Sequence, residues 1–359
     1  MKRILLISCL LQFLALPVYT QVSCYSYLKN DTLVIGNKLI ERKFIWNNGN
    51  LITYSLTDKS SDRHWLNKSR TPDFVITKDV FEASDASYIV RKADETVIHP
   101  EYLEVTVSYK LNTLYVKRIY RIYGNAPAIA CNTWLRGSTD AVFGGCAINS
   151  ADRKNIEFAE DMKSRQVTAV LDQFNPGGNH WQMKTVEFYD VTDWNNNLVF
   201  ESRVIPYRKN SYRGNLLFAY SPESENGFFF LKEAPCSSVQ LAYSGADFTA
   251  EFGHFVVTGL GINENDVKDS EWVSTYGCVI GVYSGNELTQ LTALRSYLKN
   301  IRKLQPGRDE MVMMNTWGDR SQDSKVNEKF SLIEVERAAA LGITHFQIDD
   351  GWQVGKSPN

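Results

Sequence analysis

The spacing of apolar residues changes its period near residue 286, and this change constrains the fold more than any other feature of the chain. From Thr32 to Ser284, apolar and polar residues alternate with a period of two, most clearly over Tyr102 to Leu111. This alternation is typical of strands with one face on a core and the other in water. Many such strands without intervening helices favour a large antiparallel β-sandwich.

After Asn286 the pattern predicts helices and a parallel strand pair. A helical stripe of apolar residues recurs at spacings of three and four: Leu288, Leu291, Leu294, Leu298 and Ile301. Pro306-Gly307 is expected to end this helix. A short buried strand at 311–314, a helix over 327–341 capped by Gly342, and a strand at 343–348 follow. Strand, helix and strand with short connections form a βαβ unit, whose strands are parallel.

The N-terminus is predicted to be a signal peptide. Met1-Lys2-Arg3 is basic, and Ile4 to Pro17 is almost entirely apolar, as in secretory signals. The apolar run is too short for a membrane span. We expect export, to the outside of the cell or the periplasm, after cleavage near Thr20 or Ser23. Lipoprotein anchoring at Cys24 is the alternative.

Charge and residue spacing argue against several classes of ligand. The formal net charge of −2 comes without a basic stripe, so no nucleic-acid partner is expected. The five histidines lie singly, and neither a metal site nor a cofactor is predicted. In an oxidising compartment, four cysteines could form disulfides, and small buried hydrophobic residues are the equal alternative; these are Cys131, Cys146, Cys236 and Cys278.

Candidate site residues follow each strand of the predicted βαβ unit. Asn315-Thr316-Trp317 comes after the first strand, and Asp349-Asp350-Gly351-Trp352 after the second. Carboxylates accept strong hydrogen bonds from hydroxyl groups, and an indole packs against a sugar ring. A divalent metal site and a helix cap are the alternatives for the aspartate pair. The two indoles favour sugar, so the predicted substrate-binding residues are Trp317, Asp349, Asp350 and Trp352.

These motifs resemble those of the family-36 glycoside hydrolases, the α-galactosidases and their relatives. Met313-Met314-Asn315-Thr316-Trp317 resembles the signature of their first barrel strand, and Phe346 to Trp352 resembles the segment of their second. The resemblance implies that Asp349 and Asp350 bind galactose hydroxyls and that Trp317 forms a wall of that subsite. Trp352 would shape the pocket or pack behind it. The implied partner is an oligosaccharide or glycan, and a homo-oligomer is implied as well.

The implied organisation is a signal peptide over 1–23, a β-sandwich over 24–285, a linker helix over 286–309 and the incomplete start of a (β/α)8 barrel over 310–359. The implied activity is that of a retaining hydrolase of α-galactosides or related α-glycosides, with two carboxyl groups about 5 Å apart. In the family these lie on later barrel strands, and a whole barrel takes about 200–250 residues. No catalytic residue is therefore assigned, and the chain alone is expected to be inactive.

Two alternative functions remain at this stage. One is a non-catalytic carbohydrate-binding protein that grips a glycan through the loop from Asn175 to Trp181 and through Trp194. The other is a truncated product without function.

Overall fold

The computed structural model of this protein describes residues 24–76, 82–138, 169–188, 199–236, 246–262, 264–317 and 326–349. The chain divides into two units. The first comprises the residues up to 94 together with 101–300, and the second comprises 95–100 together with the residues from 301 onward. The signal-peptide prediction falls on residues outside those described.

A five-stranded antiparallel meander begins the first unit. Its strands pair in chain order, and they are β1 (Tyr25–Lys29), β2 (Thr32–Gly36), β3 (Ile40–Ile45), β4 (Ile52–Asp58) and β5 (Arg63–Leu66). Asn37 fixes the β2–β3 turn, since its buried side chain accepts hydrogen bonds from the backbone N–H groups of Leu39 and Ile40. The same side chain donates to the carbonyls of Tyr123 and Ala126, which ties this turn to a distant part of the chain.

The largest sheet contains ten strands. They are β6 (Ala83–Ala93), β7 (Tyr102–Leu111), β8 (Leu114–Ile122), β9 (Ala128–Gly137), β11 (Gln182–Phe188), β12 (Val199–Val204), β14 (Leu216–Ser221), β15 (Asn226–Glu233), β18 (Val273–Ser274) and β19 (Gly277–Ser284). Nine of them pair in the order β12-β11-β14-β15-β19-β9-β8-β7-β6, and β18 pairs with β9. The predicted strand from Tyr102 to Leu111 is confirmed with the same bounds.

A third, four-stranded sheet completes the β structure of the first unit. Its strands are β10 (Val170–Phe174), β17 (His254–Thr258), β16 (Phe248–Glu251) and β13 (Asn210–Tyr212), in that order across the sheet. Short 3₁₀ turns span Asn47–Gly49 and Glu264–Asp266.

Both smaller sheets pack on the large sheet. The Phe44 ring of the first sheet lies 5.6 Å from that of Tyr120 on β8, and Phe174 of the third sheet lies 5.2 Å from Phe228 on β15. The Phe228 ring is the centre of an aromatic cluster, and its other ring contacts are with Trp65, Trp181, Phe230 and Phe255. Full burial of one such side chain contributes about 1.5–3 kcal/mol to folding. The predicted antiparallel β-sandwich is confirmed.

Charged residues also lie inside this sandwich. Arg42 is buried and makes two short hydrogen bonds to the carboxylate of Asp172, at 2.6 and 2.7 Å, and a third to Asp73 at 3.0 Å. Burial alone would lower the pKa of Arg42, but the two carboxylates raise it above its usual value. Lys232 and Asp247 form a second buried ion pair at 2.7 Å. The sequence pattern gave no sign of either group, because Arg42 lies between Glu41 and Lys43 and Lys232 precedes Glu233, so neither stands out from its charged neighbours.

Helix α1 (Glu287–Asn300) follows β19, and the prediction of its inner face was wrong. The buried residues are Gln290 and Tyr297, and the Tyr297 hydroxyl hydrogen-bonds the Glu233 carboxylate at 3.3 Å. Leu288 and Leu298 of the predicted apolar stripe are instead exposed. Gln290 and Tyr297, seven positions apart, therefore form the buried side of α1. The spacing of apolar residues does not reveal this side, because both residues carry polar groups.

Apolar residues run through the segment from Phe248 to Val257, yet it is a hairpin of β16 and β17 rather than one strand. The turn is hidden in the sequence because Phe252, a large apolar residue, takes the left-handed conformation at φ 50°. Gly253 follows it, and a Cβ at that position would lie 2.3 Å from the Gly177 carbonyl oxygen. Close backbone approach explains this glycine.

The second unit contains the predicted βαβ unit. The helices and strands of the second unit are α2 (Pro306–Asp309), β20 (Met313–Asn315), α3 (Glu328–Ala340) and β21 (His345–Gln347), and the last three form the βαβ unit. Strands β20 and β21 pair in parallel. Asn327 caps α3 by accepting a hydrogen bond from the Phe330 N–H at 3.0 Å, and Gly342 follows the helix at φ 79°. The strand–helix–strand prediction is confirmed, whereas its continuation into a barrel remains a prediction.

Among the described residues, no helix combines the length and the apolar character needed to cross a membrane.

Candidate functional site

The carboxyl ends of β20 and β21 lie side by side. Asn315 pairs with Gln347 in the parallel register, and the next residue, Thr316, donates its N–H to the Gln347 carbonyl at 3.3 Å. Because parallel strands run in the same direction, the residues that follow both strands emerge at one edge. This edge is where the sequence predicted a site.

Thr316 joins the two strand ends. Its side chain is buried, and its hydroxyl oxygen accepts a hydrogen bond from the backbone N–H of Asp349 at 3.0 Å. The start of the second loop is thereby held against the end of the first strand. Sequence reasoning gave Thr316 no role. The only sequence signal for such a role was its position between Asn315 and Trp317, just after a predicted strand.

Trp317 comes next and presents its indole at the surface. The side chain is 51% exposed, and its backbone N–H donates to the Asn315 side-chain oxygen at 3.2 Å. This contact closes a short turn directly after β20. An indole exposed to this degree has area available for an apolar ligand face.

Asp349 is partly buried at the same edge. Its backbone position is fixed by Thr316, so its carboxylate follows β21 in a defined place. Among the predicted site residues, the structure brings Trp317 and Asp349 to one edge of the strand pair. Asp350 and Trp352 lie outside the described residues. The arrangement can supply a hydrogen-bond acceptor and an aromatic surface to one ligand.

Within the described ranges, no three His, Cys, Asp or Glu side chains are grouped closely enough to hold a metal ion. Three cysteines in these ranges are free thiols: Cys24, Cys131 and Cys278. Cys131 and Cys278 face each other across β9 and β19, and burial raises the pKa of both thiols. Cys146 falls outside the described residues, so its pairing remains a prediction.

The loop that the alternative hypothesis assigned to glycan binding has a structural role. The Trp181 side chain is buried, and its indole N–H donates to the Gly177 carbonyl at 2.8 Å. Its ring packs on Phe228 and Phe255. The expectation that Trp181 grips a glycan was therefore wrong, since a ring in the core offers no face to a ligand. Trp194 falls outside the described residues.

Solved structures with the same fold are α-galactosidases. The enzyme from Lactobacillus brevis aligns with a TM-score of 0.56 at 13% identity, covering 91% of this chain and 49% of that one. The galactosidase domain of the α-galactosidase–sucrose kinase AgaSK gives 0.57 at 11% identity, covering 91% and 51%. The family-36 α-galactosidase AgaB from Geobacillus stearothermophilus gives 0.54 at 13% identity, covering 91% and 50%.

The fold is that of the family-36 α-galactosidases. The resemblance predicted from the strand-end motifs is thus confirmed at the level of fold. The chain spans about half the length of these family-36 structures. No protein-family model matches the chain, and no curated protein matches it in sequence.

Proposed function

We propose that this chain carries the sugar-binding strand ends of an exported hydrolase that acts on α-galactosides or related α-glycosides. The observation that carries the proposal is the shared edge of β20 and β21. There Thr316 fixes the position of Asp349, and the half-exposed Trp317 indole emerges from the neighbouring strand. Support for the reaction class comes from the family-36 fold.

In this proposal the two described side chains recognise different parts of a sugar. The Asp349 carboxylate accepts hydrogen bonds from ring hydroxyls, which it does more strongly than a neutral group would. The Trp317 indole packs against the C–H face of the same ring. In the same proposal Asp350, the next residue in the sequence, binds a second hydroxyl, and Trp352 contributes to the same subsite. Thr316 is a positioning residue, because it acts through the backbone of Asp349.

We further propose that the bond-breaking carboxylates come from residues other than those of this chain. A retaining glycosidase needs a nucleophile and an acid/base about 5 Å apart on opposite sides of one glycosidic bond. Asp349 and Asp350 are adjacent residues at one strand end, which suits binding of neighbouring hydroxyls. Coverage of about half of each related structure supports the same division of roles.

Export is proposed from the basic start and apolar run of residues 1–17. The mature protein is proposed to start between Gln21 and Tyr25. N-terminal sequencing of protein from its native host tests this. A start within that interval is expected, and a mature protein that begins at Met1 would contradict export.

Calorimetric titration with galactose tests the sugar site. Losing one charged hydrogen bond of about 1.5–3 kcal/mol weakens binding about 10–150-fold, so Asp349→Asn should show a loss in this range. The matched control is Glu336→Gln, which removes one carboxylate from the exposed side of α3 in the same unit and should leave the affinity unchanged. Equal affinities in wild type and Asp349→Asn would overturn the sugar assignment.

Two further measurements separate the parts of the proposal. The 359-residue chain should not hydrolyse an aryl α-galactoside, and turnover above a blank would overturn the statement that the catalytic carboxylates lie elsewhere. Galactose affinity should be insensitive to a chelator. Loss of galactose affinity on addition of a chelator would indicate instead that Asp349 binds a metal ion.

A further inference from the structure

A cavity of about 420 Å³ lies between one face of the large sheet and the first turn of α1. Its lining residues come from β11, β12, β14 and α1, all within the first unit. The volume falls in the range of about 300–1,000 Å³ that is typical of small-molecule sites. The proposed sugar site on β20 and β21 uses none of these residues.

The floor of the cavity is a row of side chains in register. Lys184 on β11 faces Arg203 on β12 and Phe218 on β14. Two cations opposite each other on paired strands repel, so the row needs compensating charge. Glu287, the first residue of α1, provides it by accepting hydrogen bonds from the Lys184 ammonium and the Arg203 guanidinium, both at 2.7 Å.

The charges of this wall balance. Glu201 does not line the cavity itself but pairs with Arg203 at 2.9 Å, so the two lining cations and their partners comprise two cations and two carboxylates. The hydrogen bonds from Arg203 and Lys184 lower the pKa of Glu287 to about 2, so Glu287 is charged at neutral pH. A wall with no net charge has no preference for an anionic or a cationic ligand, although it offers both donors and acceptors.

Gln290 adds a hydrogen-bond acceptor to the wall. The side chain is 7% exposed and hydrogen-bonds Tyr283. Its oxygen Oε1 accepts no hydrogen bond from the residues that the structure describes. Buried polar atoms in folded proteins almost always form a hydrogen bond. We therefore expect this oxygen to accept a hydrogen bond from an O–H or N–H group. Tyr220, one strand away from Gln182 in the register, adds an aromatic ring to the lining.

We propose that this cavity is a second binding site, which takes a neutral, hydroxyl-rich molecule of the size of a mono- or disaccharide. A ligand hydroxyl donates to Gln290, further hydroxyls exchange hydrogen bonds with Lys184, Arg203 and Glu287, and the Tyr220 ring covers an apolar face. Mixed donors and acceptors beside an aromatic ring suit a polyol and leave a charged ligand without a counter-charge. This inference does not depend on the proposed sugar site at the strand ends.

Isoleucine methyl NMR of the whole chain tests the cavity directly. Ile205 lines the cavity and its side chain is 55% exposed, whereas Ile343 and Ile348 belong to the second unit. In protein labelled at the isoleucine δ1 methyl carbon, Ile205→Val identifies the Ile205 signal. Galactose, glucose and myo-inositol are added separately, up to about 50 mM, which covers the millimolar range of weak sites. At least one of the three should shift the Ile205 signal in a saturable way.

Variants assign the response to the cavity wall. Gln290→Leu should weaken the affinity reported by Ile205 about tenfold or more, and Tyr220→Leu should weaken it too. Lys299→Leu, on an exposed part of the same helix, should leave it unchanged. Asp349→Asn should also leave the Ile205 response unchanged, so failure of the strand-end site and failure of the cavity can be told apart.

Three outcomes would overturn the cavity site. One is no Ile205 shift with any of the three neutral probes. Another is an equal affinity in wild type, Gln290→Leu and Tyr220→Leu. The third is an Ile205 shift produced by sulfate or by a guanidinium salt and by none of the neutral probes, which would identify a charged ligand.

Discussion

The two units differ most in what their strands bury. In the first unit, rings such as Phe228, Phe230 and Phe255 are fully buried between sheets. In the second unit, Met313 on β20 is 52% exposed and Leu332 on α3 is 58% exposed. Parallel strands usually have both faces covered. The difference teaches that the first unit is held by a core, whereas the described part of the second is held by local hydrogen bonds.

The same contrast applies to ions. The first unit buries Arg42 with two carboxylates, while the Arg337–Glu334 pair on α3 is largely in solvent on the arginine side. A charge that loses its partner is costly inside a protein and inexpensive in water. Paired substitutions, one at a buried or constrained position and one at an exposed or unconstrained position, therefore test how each unit is stabilised.

The largest effect is expected in the aromatic cluster. Phe228→Ala should lower the free energy of unfolding of the first unit by about 3–5 kcal/mol, because a buried ring leaves a cavity. Phe200→Ala, at a ring that is 54% exposed, should change it by about 0.5 kcal/mol or less. Denaturant unfolding followed by circular dichroism gives both values. Similar losses in the two variants would contradict a core centred on Phe228.

A comparable loss is expected from the buried arginine. Arg42→Met leaves Asp73 and Asp172 without their cation and should cost about 3–5 kcal/mol. Adding Asp73→Asn and Asp172→Asn should recover part of this loss, since the uncompensated charges are then gone. Arg337→Met, on the exposed helix, should cost about 0–0.5 kcal/mol. The same unfolding experiment measures each variant, and an Arg42→Met protein as stable as wild type would show that the cluster is not essential.

A glycine pair tests local control in the second unit. Gly342→Ala should destabilise the end of α3 by about 1–2 kcal/mol, since Gly342 has φ 79° and a left-handed backbone disfavours a Cβ. A Cβ at Gly307 would meet no atom within 4 Å, and this glycine is not among those at positive φ. Gly307→Ala should therefore be neutral or stabilising by about 0.4–1 kcal/mol. Hydrogen exchange of the α3 amides reports the first change, and equal exchange in both variants would refute it.

The smallest effect concerns pH and the start of α1. The folded-state pKa of Glu287 is lowered from 4.5 to about 2, so its stabilising contribution is complete above about pH 4.5 and is lost as the pH falls towards 2. Because this carboxylate is half-exposed, the contribution should be below about 1 kcal/mol. Glu287→Gln should flatten the stability profile of the first unit between these pH values. An unchanged profile would show that the four-residue ion group adds nothing to stability.

The sequence predicted the elements whose signal is local. Alternation gave the bounds of β7, and the glycine at 342 marked the end of α3. Prediction from the sequence failed for features that depend on tertiary packing. The inner face of α1 carries Gln290 and Tyr297 rather than leucines, and Phe252 conceals a turn. The burial of Gln290 and Tyr297 and the turn at Phe252 depend on contacts with residues distant in the sequence, and a single sequence does not show those contacts.

For the candidate site, the motifs predicted which residues follow the parallel strands but not what holds them. Trp317 and Asp349 were identified because strand ends of this kind carry ligand-binding groups. The hydroxyl of Thr316 was missed because a threonine after a strand has many ordinary roles. Its function as a link is visible only once β20 and β21 are in register.

The most direct test of the central claim is the indole N–H signal of Trp317 in a galactose titration of the whole chain, assigned with Trp317→Phe. If the β20–β21 edge binds sugar, this signal should shift saturably in wild type and in Gln290→Leu, and the affinity it reports should fall about 10–150-fold in Asp349→Asn. A Trp317 signal that stays in place at saturating galactose, or that shifts with equal affinity in Asp349→Asn, would contradict the claim.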